Sequence, residues 1–193
     1  AEISELAGFP FHRGLLLVAK RPKLPCLVDS GFLLHKARRL VVLPNITNPE
    51  NLGAIIRTAA ALGWDGLLIG SPSCDPYSRR VLRCSMAAGF SLPVIYFDGV
   101  HDLDMLMSHG WELWAAMVHP EVRTPEVLRP VNRLALVFGN ERFGIPAEIE
   151  TLCTGRVVIP QLRNDGDGVD SLNVAAAAAI LLWEGRPEPV PSK

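Results

Sequence analysis

The chain has 193 residues, a formal net charge of −1 and 49% hydrophobic residues, which suits one globular domain with a sizeable core and room for a fragment of a second. The longest uninterrupted apolar run, Val174 to Trp183, is too short to cross a bilayer. Four cysteines without C-x-x-C spacing and five histidines without an H-x-x-x-H pair indicate neither a zinc site nor a disulfide framework, so free buried thiols are expected.

The first stretch, AEISELAGFPFHRG, lacks the charged-then-apolar order of a signal peptide, and a cytoplasmic location is expected. Residues 1–25 end in KRPKLP, a Pro-rich basic stretch, and read as the end of an upstream domain plus a linker. From 26 to 186 the chain reads as one domain. Strands are expected at 40–43, 66–70, 93–97, 112–118, 133–138 and 156–159, with helices at 49–62, 76–87, 99–108, 146–152 and 171–184. That alternation predicts an α/β fold, a largely parallel sheet with helices on both faces, whose ligands gather at the carboxyl ends of the strands. The last residues, 187–193, read as a frayed tail.

The first helix lies in NPENLGAIIRTAAALG, residues 48 to 63. Asn48 can cap it, Pro49 suits its first turn, and Leu52, Ile55, Ile56, Ala59 and Leu62 form the buried stripe. Arg57 lies off the stripe, and its neighbours three and four residues away, Gly53, Ala54, Ala60 and Ala61, leave the helix surface around it almost free of bulk. The basic residues as a whole are 15 Arg against 4 Lys, with clusters at 38–39 and at Arg79, Arg80 and Arg83. Such a surplus suits planar, bidentate phosphate contacts, and equally describes a solvated surface.

Two candidate sites follow strands. In FGNERFGIP, Gly139 and Gly144 bracket a turn with the spacing of a P-loop, but Ile145 and Pro146 stand where Lys and Ser or Thr belong, which excludes a nucleoside-triphosphate site of that type. In IPQLRNDGDGVDSLNV, the stretch GDGVDS imitates a dinucleotide fingerprint, yet Asp165, Asp167 and Asp170 would repel a pyrophosphate. A calcium loop fails too, with Asp170 at the required Gly and Ala176 at the bidentate Glu. Ser171 is a good N-cap for the final helix and Asn173 follows in its first turn. That helix is apolar on almost every face, so it is either central to the core or covered by a partner, and a homodimer is expected.

Taken together, NPENLGAIIRTAAALG, LALVFGNERFG and VVIP…SLNVAAAAAILLWE closely resemble, in this order and at these intervals, the three motifs of the SpoU/TrmH family of SPOUT-superfamily RNA ribose methyltransferases, over residues 38 to 185. The resemblance implies a catalytic domain whose C-terminal part forms a deep trefoil knot, a homodimer, S-adenosylmethionine as methyl donor, and transfer to a ribose 2′-hydroxyl of tRNA or rRNA. It implies catalytic positions at Asn51 and Arg57 from the first motif, Glu141 from the second, and Ser171 and Asn173 from the third. The donor would lie against Gly139, Asn140, Ile159 and Leu172. No metal is implied.

A guanidinium is a poor general base at neutral pH, so Arg57 is expected to orient the nucleotide by its phosphate and to stabilise the alkoxide forming at the 2′-oxygen. One departure from the family pattern stands out: QLRNDGDGVD, residues 161–170, is several residues longer than the family's loop, and acidic. GFPFHRG resembles the end of a small RNA-binding domain that often precedes the catalytic one. The alternatives are a non-catalytic RNA-binding dimer of the same fold and a base-directed methyltransferase.

Overall fold

The computed structural model describes Glu5 and residues 20–31, 35–118, 123–161 and 171–188. Most of the 1–25 segment, nine residues of the 161–170 loop and most of the 187–193 tail, on which sequence expectations were placed, lie outside the described residues.

Short apolar runs form the sheet: β1 (Arg39–Leu43), β2 (Gly66–Ile69), β3 (Val94–Tyr96), β4 (Glu112–Met117), β5 (Leu134–Val137) and β6 (Gly155–Val158). Every residue of β1, β2 and β5 is buried, as expected for strands covered on both faces. The order is β3-β2-β1-β5-β4-β6, and each pairing is parallel. The chain works outward from β1 to β3, crosses the sheet, and comes back to lay β5 beside β1. The strand order therefore switches between β1 and β5, and the loops leaving those two strands diverge at the carboxyl edge, where α/β sheets hold ligands.

Helices cover both faces: α1 (Pro49–Ala61), α2 (Arg79–Cys84), α3 (Gly99–Ser108), α4 (Ala147–Leu152) and α5 (Val174–Glu184). Successive strand residues feed opposite cores. Val41, Leu43, Leu67 and Leu136 pack with Leu52, Ile55 and Ile56 of α1 and Leu181 of α5 on one face. Leu40, Val42, Leu68 and Val137 pack with Leu103 and Leu106 of α3 and Ile149 of α4 on the other.

Two expected helices differ in extent. The helix expected at 76–87 is only Arg79–Cys84, because Met86 (φ 53°) and Ala87 (φ 63°) turn left-handed and lead into a 3-10 turn at Ala88–Phe90. The final helix begins at Val174, not at 171: its cap is Asn173, whose side chain accepts from the backbone N–H groups of Ala175 and Ala176, and Ser171 lies before it. Both residue types cap helices, and the extended backbone of Asn173 decides between them.

The end of α5 is tied to the middle of the sheet. Trp64 Nε1 donates to the Leu182 carbonyl at 3.1 Å. The buried Arg39 guanidinium donates to the carbonyls of Gly185 at 2.5 Å, Asn132 at 2.9 Å and Arg38 at 3.0 Å. Burial pulls the Arg39 pKa down, against the nearby Asp65 carboxylate, which pulls it up.

Candidate active site

Asn48 starts the site by starting α1. Its side-chain oxygen accepts from the N–H groups of Glu50 at 2.8 Å and Asn51 at 3.2 Å, which fixes the first turn. That turn carries Asn51, only 8% exposed, toward the β5 loop. Its amide Nδ2 donates to Glu141 Oε1, and its Oδ1 accepts from Asn173 Nδ2 at 3.1 Å. One side chain from each of three distant sequence segments thus enters a single hydrogen-bonded row, Asn173 to Asn51 to Glu141.

Glu141 is held out by a tight turn. The backbones of Asn140 and Gly144 exchange two hydrogen bonds of 2.9 Å, and the Asn140 side chain accepts from the N–H groups of Arg142 and Phe143 at 2.9 and 3.2 Å. Its Nδ2 reaches across to the Asn45 carbonyl at 3.4 Å, joining the β5 loop to the β1 loop at the switch in strand order. The turn needs both its glycines. Gly144 has φ +71°, and a Cβ on Gly139 would lie 2.4 Å from the Gly144 carbonyl carbon.

Beside this row a cavity of about 570 Å³ opens between the ends of β4, β5 and β6 and the start of α5. Its apolar wall includes Met117, Phe138, Ile159, Leu172 and Ala177, and Asn140, Glu141, Ser171 and Asn173 supply polar groups. All four residues expected to hold a donor, Gly139, Asn140, Ile159 and Leu172, line it, and so do three of the five expected catalytic residues, Glu141, Ser171 and Asn173. Asn51 joins through its hydrogen bonds. Arg57 does not line the cavity: it sits six residues, about 9 Å, further along α1, exposed and with no side-chain hydrogen bond or ion pair among the described residues.

Met117, Val118, Phe138, Glu150, Gln161 and Ala177 also line the cavity and were not singled out in the sequence. The signal for the first three was available, since each lies at the carboxyl end of a parallel strand. Glu150 pairs with Arg156 at 3.1 Å, and no comparable signal marks it. The Cys74 thiol is pushed up, chiefly by burial, with the Asp75, Glu141 and Glu50 carboxylates adding to the effect against its own backbone hydrogen bond. Among the described residues no cluster of His, Cys, Asp and Glu can hold a metal ion, and no helix is long and apolar enough to cross a membrane.

The model of the SpoU rRNA Methylase family matches residues 38–183. An uncharacterized tRNA/rRNA methyltransferase of Mycobacterium tuberculosis is 34% identical over 186 residues, 94% of this chain and 62% of that protein. The 23S rRNA (guanosine(2553)-2′-O)-methyltransferase RlmP of Bacillus subtilis is 29% identical over 79% of this chain and 60% of its own length. Among solved structures, the AdoMet-bound rRNA methyltransferase from Sinorhizobium meliloti superposes with a TM-score of 0.73 at 27% identity, covering 84% of this chain and 60% of that one. The chain spans about three-fifths of the length of these relatives.

Proposed function

The chain belongs to the SpoU rRNA methylase family, and from that premise we propose that it is an S-adenosylmethionine-dependent methyltransferase acting on a ribose 2′-hydroxyl of tRNA or rRNA. The observation that carries the reading is the Asn173–Asn51–Glu141 row standing at the rim of the cavity.

The residues present fit the donor. About 570 Å³ lies within the range of small-molecule pockets, and apolar walls beside exposed backbone suit an adenine ring. Gly139, where a side chain would strike the Gly144 backbone, leaves main chain bare at the cavity wall. Gly139, Asn140, Ile159 and Leu172 would hold the donor. When bound, S-adenosylmethionine supplies a methyl group on a positively charged sulfur, open to attack by oxygen.

The remaining work falls to the protein. Asn51, Glu141, Ser171 and Asn173 position the target nucleotide, the geometry of Asn51, Glu141 and Asn173 being held by their shared hydrogen bonds. Arg57 binds the nucleotide's phosphate and stabilises the charge growing on the 2′-oxygen. A guanidinium is a poor base at neutral pH, so its role is that of a charge and a hydrogen-bond donor. Its open position on α1 leaves it reachable by RNA and by a second copy of the chain.

The proposal extends to a homodimer, supported by Ile180 at 42% and Trp183 at 52% exposure on the otherwise apolar α5. It extends also to a methyltransferase domain spanning 26–186, to a knotted C-terminal part, on the strength of family membership, and to work in the cytoplasm, where tRNA and rRNA are found.

Calorimetric titration with S-adenosylmethionine, with and without total RNA, tests the reading. One saturable site per chain is expected. Absence of binding in both conditions, from a chain shown to be folded, overturns it and leaves the non-catalytic RNA-binding dimer.

A further inference from the structure

Two basic stretches, KRPK at 20–23 and the arginines at 79, 80 and 83, take no part in the cavity. The structure brings them to one face. Arg21 pairs with Asp75 at 2.8 Å, and the same carboxylate accepts from the Tyr77 N–H at 2.9 Å. The Tyr77 ring stacks on Phe90, centroids 5.8 Å apart and planes 16° apart. Phe90 is nonetheless 65% exposed, and Met86 68%.

That exposure is held in place by an unfavourable backbone. Met86 and Ala87 are the non-glycine residues with positive φ among those described, and they turn the chain so that Phe90 ends on the surface. Backbone strain of this kind persists where the surrounding structure imposes it, and it clusters where ligands bind.

The face adjoins Arg57. Helices α1 and α2 run side by side: Glu50 pairs with Arg80, a Cβ on Gly53 would lie 2.5 Å from Cys84 Cβ, and one on Gly89 would lie 3.9 Å from Ile56 Cγ2. Arg57 and Phe90 are each the next residue after that last contact. Two carboxylates on the face are already paired, Glu50 with Arg80 and Asp75 with Arg21. Lys20, Lys23, Arg57 and Arg83 are all exposed, and Arg57 and Arg83 have no ion pair among the described residues.

We propose that this face docks a single-stranded stretch of RNA flanking the target ribose, with one unpaired base stacked on Phe90 and its neighbouring phosphates held by Arg83, Lys20 and Lys23. The inference rests on the methyltransferase reading for its RNA. An exposed aromatic ring on a face that also carries exposed cations is what single strands bind, since every base has a face to stack and every linkage a phosphate to pair. A second copy fits this face worse, because a two-fold axis through it would set arginines against arginines.

The test measures anisotropy of a labelled adenosine RNA of about 12 nucleotides, within the usual range of single-strand sites, against a duplex of the same length, with donor titration of each protein in parallel. Phe90→Ala is expected to weaken single-strand binding on the order of tenfold, Phe90→Tyr to restore it, and Phe90→Leu not to. Arg83→Ala should flatten the salt dependence of binding by about 0.7 in log–log slope, one phosphate's worth for a single strand. Donor affinity should stay unchanged in all of these variants. Unaltered single-strand binding by Phe90→Ala, with donor binding intact, overturns the stacking face alone, whereas failure of the parent chain to bind donor strikes the methyltransferase reading instead. A fall in particle mass on Phe90→Ala substitution, without a change in RNA affinity, would assign the face to a second copy and also overturn the proposal.

Discussion

The side chain of Asn51 gives its N–H to Glu141 and takes one from Asn173, so a single amide aligns residues 90 and 122 positions away from it in sequence. An amide suits this place because it presents a donor on one side and an acceptor on the other. Asn51→Ala should abolish turnover and lower stability by about 1–3 kcal/mol, the usual cost of leaving buried polar partners unmatched. Asn51→Asp should be worse than Ala near pH 7, since it sets a second carboxylate against Glu141, and should recover as the pH falls into the carboxylate range. Thermal unfolding of both variants between about pH 4 and 8, spanning that range, checks the order; a pH-independent Asp variant contradicts it.

Arg57 stands outside the cavity and its loss should leave the donor's surroundings intact. Arg57→Ala is therefore expected to cost on the order of 10² or more in rate, as loss of a preorganised donor does, while donor affinity stays within about threefold. Single-turnover rates compared with donor titrations separate the two; equal losses in both would remove Arg57 from the role given it.

At Gly139 an added methyl group meets backbone, not a side chain that can swing away. Gly139→Ala should break the paired hydrogen bonds between Asn140 and Gly144, and donor binding with them. Circular dichroism should show the sheet retained, because the strand itself ends at Val137. Donor binding equal to the parent's would show that the turn can open without harm.

Burial pushes the Cys153 thiol up to about 11, and its Sγ donates to the Ile149 carbonyl at 3.3 Å. The folded protein therefore holds this proton after the unfolded chain has released it near pH 9. Stability attributable to the thiol is intact below about pH 9 and declines as the pH rises toward 11. Alkylation at neutral pH should label the exposed Cys26 and spare Cys153, and Cys153→Ala should flatten the alkaline loss of stability. Rapid labelling of Cys153 in the folded protein would refute the assignment.

The strands and α1 were legible because their signals are local. LVVL, a short apolar run ahead of the capped NPEN turn, reads as a buried strand, and the structure has β1 at Arg39–Leu43 and α1 at Pro49–Ala61. The row at the site was legible as a set of residues only through the order of three motifs; nothing within 122 residues of Asn173 announces that it will bond Asn51. The early end of α2 was hidden because Met86 and Ala87 adopt a left-handed backbone without the glycine that ordinarily marks one. Met117, Phe138 and Ala177 were missed for a different reason. Met117 and Phe138 carry the strand-end signal but read as ordinary core residues, and Ala177 is only one of five alanines in α5 until the strand order brings that helix beside the strand ends.

The Arg39 guanidinium, sunk in the first strand, finds its carbonyl at Gly185, 146 residues later. Contacts of that separation close slowly, and a cation still lacking one of its three carbonyl acceptors resists being dried. A chain emerging from the ribosome can lay down β1, β2 and β3 in sequence, but the centre of the sheet stays hydrated at Arg39 until the segment beyond α5 has been made and has returned. Completion of this sheet is thus timed by the segment after α5, and a nascent chain halted before Gly185 should remain open to proteolysis across β1.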